Sequence, residues 1–179
     1  MTLAEHIHIR PERPADFDHI ETVHRAAFEG EAEAALVRAL RETPAYLPEL
    51  ALVALDNGRV VGHIMLSRAR LQGTAQEERI LILGPEAVLP SQSHRGIGAR
   101  LLQEALTRAE AAGFVAVVEA GRPDYFREHG FHPADRWHLK TSLSLPIAQV
   151  SAMELTPDTL PEGITVVFPE PFHRLFNTT

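Results

Sequence analysis

Residues 79–102 read RILILGPEAVLPSQSHRGIGARLL. The first half is a run too apolar to lie anywhere but mid-sheet with both faces covered, and Gly84-Pro85 interrupts it where a bulge is expected. The second half opens a helix: residues 99–112 place Leu101, Leu102, Ala105, Leu106 and Ala109 on one stripe, with Gly113 as the stop. Between them Pro90-Ser91-Gln92-Ser93-His94-Arg95-Gly96-Ile97-Gly98 runs directly into the helix N-terminus. Free backbone N–H groups and the positive end of the helix dipole suit an anion such as a pyrophosphate there, and glycines admit oxygens without a Cβ clash. Arg95 is placed to add a charge-assisted contact. The same spacing also serves a plain tight turn. A Walker loop requires Gly-Lys-Ser/Thr at the helix start, and a dinucleotide fingerprint requires a third glycine where Arg100 and Leu101 stand, so neither applies.

Outward from this stretch, residues 6–10 alternate as a short strand ended by Pro11 and Pro14. Asp16 is placed to cap a helix carrying Phe17, Ile20, Val23, Ala27 and Phe28 on one face. Residues 31–42 form a second helix that stops before Thr43-Pro44. Residues 50–55 and 59–71 flank Asp56-Asn57-Gly58, the signal for a tight hairpin. Residues 73–78 are a polar connection. Downstream, residues 114–119 read as a strand and 123–129 as a short helix ending at Gly130. Phe131 onward and residues 164–168 supply late strands. The order of elements is mixed α/β, with hairpins early and a strand-helix-strand crossover late.

At 179 residues and 45% hydrophobic content, the chain suits one domain with a sizeable core. It contains no cysteine, which excludes disulfides, thiolate metal sites and a cysteine nucleophile. Seventeen Lys+Arg against 24 Asp+Glu give a formal net charge of -7, which offers no counterion-release drive toward nucleic acid. No stretch approaches the ~20 apolar residues of a membrane span, and no signal peptide is evident. A soluble, unprocessed cytoplasmic protein is expected, with no nucleic-acid or membrane partner.

The run Val88-Leu89-Pro90 followed by Arg95-Gly96-Ile97-Gly98 and a Leu-Leu helix resembles the acetyl-CoA pyrophosphate motif of the GCN5-related N-acetyltransferases (GNAT), Gln/Arg-x-x-Gly-x-Gly/Ala, with Ser93 where Gln or Arg is usual. Tyr125-Phe126-Arg127-Glu128-His129-Gly130-Phe131 resembles the family's second block, a short aromatic helix ending in Gly-Phe. A finer likeness, to the YhbS-like branch of predicted acetyltransferases, extends through Val61-Gly62-His63-Ile64, Leu83-Gly84-Pro85 and Met153-Glu154-Leu155. The resemblance implies the α/β GNAT fold: a mixed, mostly antiparallel, splayed central sheet flanked by helices. It implies a single domain over residues 1–179, with 140–179 an extension packed on it. Acetyl-CoA is then the co-substrate, held by Ala87, Val88, Leu89, Ser93, His94, Arg95, Gly96, Ile97, Gly98, Ala99 and Phe126. The acceptor is an amine on a small molecule or a protein, and a monomer or homodimer fits equally. The alternative is a non-catalytic acyl-CoA-binding or sensor domain on the same fold.

A thioester is already activated and an amine is its own nucleophile, so positioning supplies much of the rate. The amine, with a pKa of ~10, must still lose a proton. Glu86, in an otherwise apolar strand beside the expected thioester, is the first candidate base. His63 is the second, although a hydrogen-bonded core histidine is the simpler account of it. The developing oxyanion calls for a backbone N–H of the bulged strand near Val88. In many GNAT enzymes a tyrosine four residues before the glycine of Gly-Phe protonates the departing thiolate, but that position here is Phe126. Tyr125 is the neighbouring candidate, about 100° away around the helix.

Ten histidines raise a metal reading, with His6 and His8 on one strand face and His129, His132 and His138 near the C-terminal third. None shows His-x-x-x-His spacing with a carboxylate between, so no metal is expected. Glu29, Glu31 and Glu33 complement the dipole at the start of the second helix, where the family keeps part of its acceptor site. Phe168-Pro169-Glu170-Pro171-Phe172 is placed either to close over that site or to tie down the tail.

Overall fold

The computed structural model describes residues 6–75 and 79–176. Its elements in chain order are β1 (Ile7–Pro11), α1 (Phe17–Phe28), α2 (Ala32–Arg41), β2 (Tyr46–Asp56), β3 (Arg59–Arg68), β4 (Arg70–Gln72), β5 (Ile80–Val88), α3 (Ile97–Ala111), β6 (Ala116–Ala120), α4 (Pro123–Arg127), β7 (His132–Pro133), β8 (Lys140–Thr141), β9 (Val150–Glu154), β10 (Thr165–Val167) and α5 (Glu170–Phe176). Among the described residues, seven strands form one sheet in the order β1-β2-β3-β5-β6-β9-β7, and β4-β10-β8 form a small second one.

Every pairing in the large sheet is antiparallel except β5 with β6, which run parallel and are joined through α3. Parallel neighbours need a crossover, and the periodic helix of residues 97–111 supplies it. Alternation along apolar strands sends side chains to two cores. Ala51, Val53, Ile80 and Ile82 meet α1 and α2 residues such as Ile20, Val37 and Leu40, whereas Leu52, Ala54 and Leu81 meet Leu101, Leu102 and Ala105 of α3. That double burial is why β2, β3 and β5 read as nearly continuous hydrophobic runs. Gly62 permits the close approach of α3, since a Cβ there would lie 3.0 Å from Leu101 and 3.2 Å from Ile97.

The β3–β5 register slips between Ile64 opposite Glu86 and Leu66 opposite Leu83, which leaves Gly84 and Pro85 as the bulged residues. Gly84 has φ +129°, outside the range of other residues, and its peptide to Pro85 is cis. Pairing of β5 with β6 ends at Leu83 opposite Glu119, although β5 continues to Val88. Beyond that point the two parallel strands diverge and the sheet opens.

Several elements differ from the sequence reading. The strand expected over residues 59–71 is broken at Ala69, whose N–H bonds the carbonyl of Ile80, and its end joins the second sheet as β4. Asp16 precedes α1 but does not cap it through its side chain. Its carboxylate accepts from the Arg13 N–H at 2.8 Å and pairs with Arg10, closing the turn Pro14–Asp16 instead. Strand β9 and helix α5 lie where the chain lacks clear periodicity. β9 alternates over only five residues, and α5 is a single short helix packed against α2. Residues 76–78 of the expected polar connection lie outside the described residues.

Beneath α1 the core holds a polar chain. The Glu12 carboxylate accepts from Arg41 at 2.8 and 3.1 Å and from the Tyr46 hydroxyl at 2.6 Å, and lies 2.7 Å from His63 Nε2. His63 Nδ1 is 2.8 Å from His24 Nε2. Burial alone would raise Glu12, but the hydrogen bonds from His63, Arg41 and Tyr46 hold it at about 2, so it is ionised. His63 Nε2 therefore carries the donated proton, and His24 Nε2–H donates to His63 Nδ1. Burial lowers both imidazoles and keeps them neutral.

Candidate active site

Two cavities meet where β5 and β6 part. The larger, of about 440 Å³, lies over the loop before α3. The smaller, of about 280 Å³, lies beneath α5. Phe28, Glu86 and Arg122 line both.

The wall of the larger cavity gathers most of the residues singled out in the sequence: Ala87 and Val88 from the end of β5, then Ser93, His94, Gly96, Ile97, Gly98 and Ala99 from the loop and first helical turn. The loop curls because His94 (φ +68°) and Gly96 (φ +74°) both adopt left-handed backbone, and Gly96 is the N-cap of α3. Helix α3 starts at Ile97, two residues earlier than the periodicity suggests, so Ile97, Gly98 and Ala99 carry N–H groups with no partner inside the helix. A Cβ on Gly98 would lie 3.1 Å from both a Glu86 oxygen and the Tyr125 hydroxyl, so the bare backbone keeps this wall open.

Three residues expected on the cofactor are turned elsewhere. The Arg95 guanidinium pairs with Asp56 at 2.9 Å and with Gln92, bracing the loop against the β2–β3 hairpin. Leu89 donates its N–H to Val61 and lines a separate cavity near Gly58. Phe126 is buried against Phe131 at 5.3 Å and borders only the smaller cavity. Helix α4 has only five residues, and docking Phe126 into the core rotates its neighbour Tyr125 into the larger cavity.

Tyr125 donates its hydroxyl to Glu86 Oε1 at 3.1 Å. The other oxygen, Oε2, is buried with no hydrogen-bond partner among the described residues, and the residue as a whole is 6% exposed. Burial dominates and pushes Glu86 up to about 7, against lowering contributions from Tyr125 and Arg122. Tyr125 is raised to about 12 by burial and by Glu86, so it stays protonated at neutral pH. The arrangement pairs a carboxyl group raised to about 7 with a phenol that donates to it, a combination chemically able to accept and return a proton.

Strand alternation bears on the backbone. Leu89 donates to β3, so N–H groups two residues apart turn to that side, and those of Glu86 and Val88 turn toward the open edge facing the cleft. The bulge lies at Gly84-Pro85, where the sequence places it, and Val88 follows three residues later on the same strand.

Sequence reasoning passed over several lining residues. Ala27 and Phe28 come from the end of α1, which wraps over the cleft, and Arg122 and His129 flank α4. The Arg122 guanidinium lies 4.5 Å from the Tyr125 ring centroid. Glu119, one residue before the end of β6, lies on the far lip, 1% exposed, bonded to the Ser151 hydroxyl and to the Arg122 N–H. The same signal that marks Glu86, a lone carboxylate closing an apolar strand, marks it. His63, the second candidate base, is fully buried in the chain below α1 and borders neither cavity.

Residues 17–133 match the profile of the acetyltransferase (GNAT) family. Over 169 residues the chain is 32% identical to YhbS of Escherichia coli K12, an uncharacterised N-acetyltransferase, covering 93% of this chain and 98% of that one. The crystal structure of YhbS from Escherichia coli in complex with CoA superposes with a TM-score of 0.85 at 28% identity, over 94% of this chain and 93% of that one. A GNAT family acetyltransferase from Brucella melitensis, in complex with acetyl-CoA, superposes with a TM-score of 0.76 at 33% identity, over 93% and 98% of the two chains.

Proposed function

This chain belongs to the acetyltransferase (GNAT) family, and from that membership we propose that it transfers an acetyl group from acetyl-CoA to a primary amine by direct attack in a ternary complex. The observation that carries the proposal is the position of Glu86, on the one wall that both cavities share and within hydrogen-bond distance of Tyr125. Acetyl-CoA takes the larger cavity and the amine takes the smaller, so the reacting atoms meet at Glu86. Crystal structures of two related proteins with CoA or acetyl-CoA support that assignment of the donor.

In this reading the pyrophosphate rests on the N–H groups of the loop from Ser93 to Gly98 and of the first turn of α3. Arg95 shapes that loop through Asp56 and does not itself neutralise the phosphates. The acetyl carbonyl lies along Ala87 and Val88, where the cleft-facing N–H of Val88 receives the developing oxyanion.

The amine nitrogen attacks the carbonyl carbon, forming C–N while the C=O electrons move to oxygen. Glu86 accepts the ammonium proton. The tetrahedral intermediate then collapses, C–S breaks, and the thiolate takes the Tyr125 proton. Glu86 returns its proton to the phenolate, which resets both groups. Donation by a phenol near 12 to a thiolate of pKa ~8.5 is uphill alone, but coupled transfer from a carboxylic acid near 7 makes the net step downhill. The family's tyrosine position is Phe126, and Tyr125 fills the role because α4 is turned to present it.

We also propose that residues 1–179 act as one domain, since β9 completes the large sheet and α5 walls the acceptor cavity. The test is calorimetric titration with acetyl-CoA, with dephospho-CoA and ATP for comparison, followed by amine-stimulated release of free CoA thiol. Micromolar binding and release that depends on Glu86 are expected. Binding without release in any amine would turn the reading toward an acyl-CoA sensor, and no binding to any CoA species would overturn it.

A further inference from the structure

The smaller cavity has a composition that the transfer chemistry alone does not require. Its rear wall is apolar: Phe172, Leu175 and Phe176 of α5, with Leu36 of α2 and Phe126 of α4. The Phe176 ring packs beside Gly121, where a Cβ would lie 3.4 Å from it. The polar groups gather on the lip where β5 and β6 part. They are the carboxylates of Glu86 and Glu119 and the guanidinium of Arg122, which is engaged over the Tyr125 ring, while Glu33 lines the cavity from the first turn of α2. Glu86 lines this space, and its Oε2 is buried and without a hydrogen-bond partner among the described residues, so the group calls for a donor.

We infer that the acceptor is a small primary amine carried on an apolar, ring-sized body, with the amine at Glu86 and Glu119 and the body against α5. The inference rests on the acetyltransferase reading and narrows its acceptor. A volume of about 280 Å³ lies just below the ~300–1,000 Å³ of ordinary small-molecule sites, so it suits one ring with a short arm rather than a folded protein segment. A linear diamine or polyamine needs a second anionic contact away from the lip, and there Phe172, Leu175 and Phe176 of α5 outnumber the single carboxylate of Glu33. The ammonium group meets the carboxylates of Glu86 and Glu119 against the one guanidinium of Arg122, so the lip favours a cation while the α5 side favours hydrocarbon. Glu119 is held by Ser151 and the Arg122 backbone, which fixes its direction and leaves Glu86 as the oxygen that moves the proton.

The experiment titrates 2-phenylethylamine, butane-1,4-diamine, 2-phenylethanol and a lysine-containing peptide into protein saturated with CoA. The expected result is 2-phenylethylamine binding at least about tenfold tighter than each of the others, the scale of discrimination that an apolar pocket with one matched polar group achieves. Phe176→Ala should weaken 2-phenylethylamine about tenfold, Phe176→Leu should restore most of the loss, and the affinity for acetyl-CoA should stay the same in both. Equal or tighter binding of the diamine or the peptide overturns the acceptor class while leaving the acetyltransferase reading in place. Unchanged 2-phenylethylamine binding in Phe176→Ala overturns the role of α5. Failure of the wild-type protein to bind acetyl-CoA, measured separately, overturns both readings.

Discussion

Replacing Glu86 with glutamine tests whether a carboxyl group is held near neutrality in the cleft. Burial raises Glu86 from its ordinary 4.5 to about 7, so between those values the folded protein binds a proton that the unfolded chain has released. Stability therefore falls as pH rises through that window, the reverse of the usual paired carboxylate. At 1.36 kcal/mol per pK unit, ionising Glu86 in place costs the folded state about 3 kcal/mol at pH 8 and about 1 kcal/mol at pH 5.5. Glu86→Gln removes this titration. Relative to wild type, the variant should gain about 2 kcal/mol between pH 5.5 and pH 8, or roughly 4–8 °C in Tm for a chain of this size. Glu119 is also raised to about 7 by burial, but it is present in both proteins and drops out of the difference. The assay is urea unfolding at several pH values, compared as differences in midpoint at equal slope. If the two proteins lose stability in parallel from pH 5.5 to pH 8, Glu86 titrates at its ordinary value and the reasoning fails. In the enzyme, the same group predicts that kcat rises with pH through an apparent value near 7 and that this limb disappears in Glu86→Gln.

Tyr125→Phe should lower kcat about 10²-fold while leaving acetyl-CoA affinity nearly unchanged, and it should shift the acidic limb of the pH–rate profile upward, because the lost hydrogen bond lowers Glu86. Gly96→Val forces a β-branched residue into φ +74°, and Gly98→Val drives a Cβ to 3.1 Å from Glu86 and Tyr125. Either should weaken acetyl-CoA by at least about tenfold in calorimetry, well beyond the effect of Tyr125→Phe. Glu12→Gln removes the anion that Arg41, Tyr46 and His63 surround, at a cost of about 3 kcal/mol at neutral pH. Because Glu12 is held at about 2, that contribution is complete above pH 4.5 and lost as pH falls toward 2, so the stability curves of wild type and variant should converge in acid.

Much of this molecule is legible from one stretch of chain. An apolar strand, a glycine loop and a periodic helix over residues 79–112 determine a parallel crossover with backbone N–H groups at its mouth, since periodicity and backbone freedom are local properties. Glu86 stands out for the same reason, a charge in a run that must be buried. The Asp56-Asn57-Gly58 hairpin and both early helices follow from turn chemistry and spacing within a dozen residues.

Which side chains face the cleft is settled only by packing. Tyr125 and Phe126 are adjacent on a five-residue helix, and nothing local says which is inward; the contact of Phe126 with Phe131 in the core decides it and so delivers the phenol to Glu86. Arg95 looks like a phosphate ligand until Asp56, 39 residues away, claims it. His63 looks like a base until Glu12 and His24 enclose it. Glu119 reaches the smaller cavity because β6 parts from β5 there, and α5 walls that cavity because a short helix docks against α2. The sequence by itself determines the elements and the glycine loop at the start of α3 through short-range geometry, and the tertiary structure alone decides the pairing of Glu86 with Tyr125 and the shape of the smaller cavity, because those depend on contacts between residues far apart in the chain.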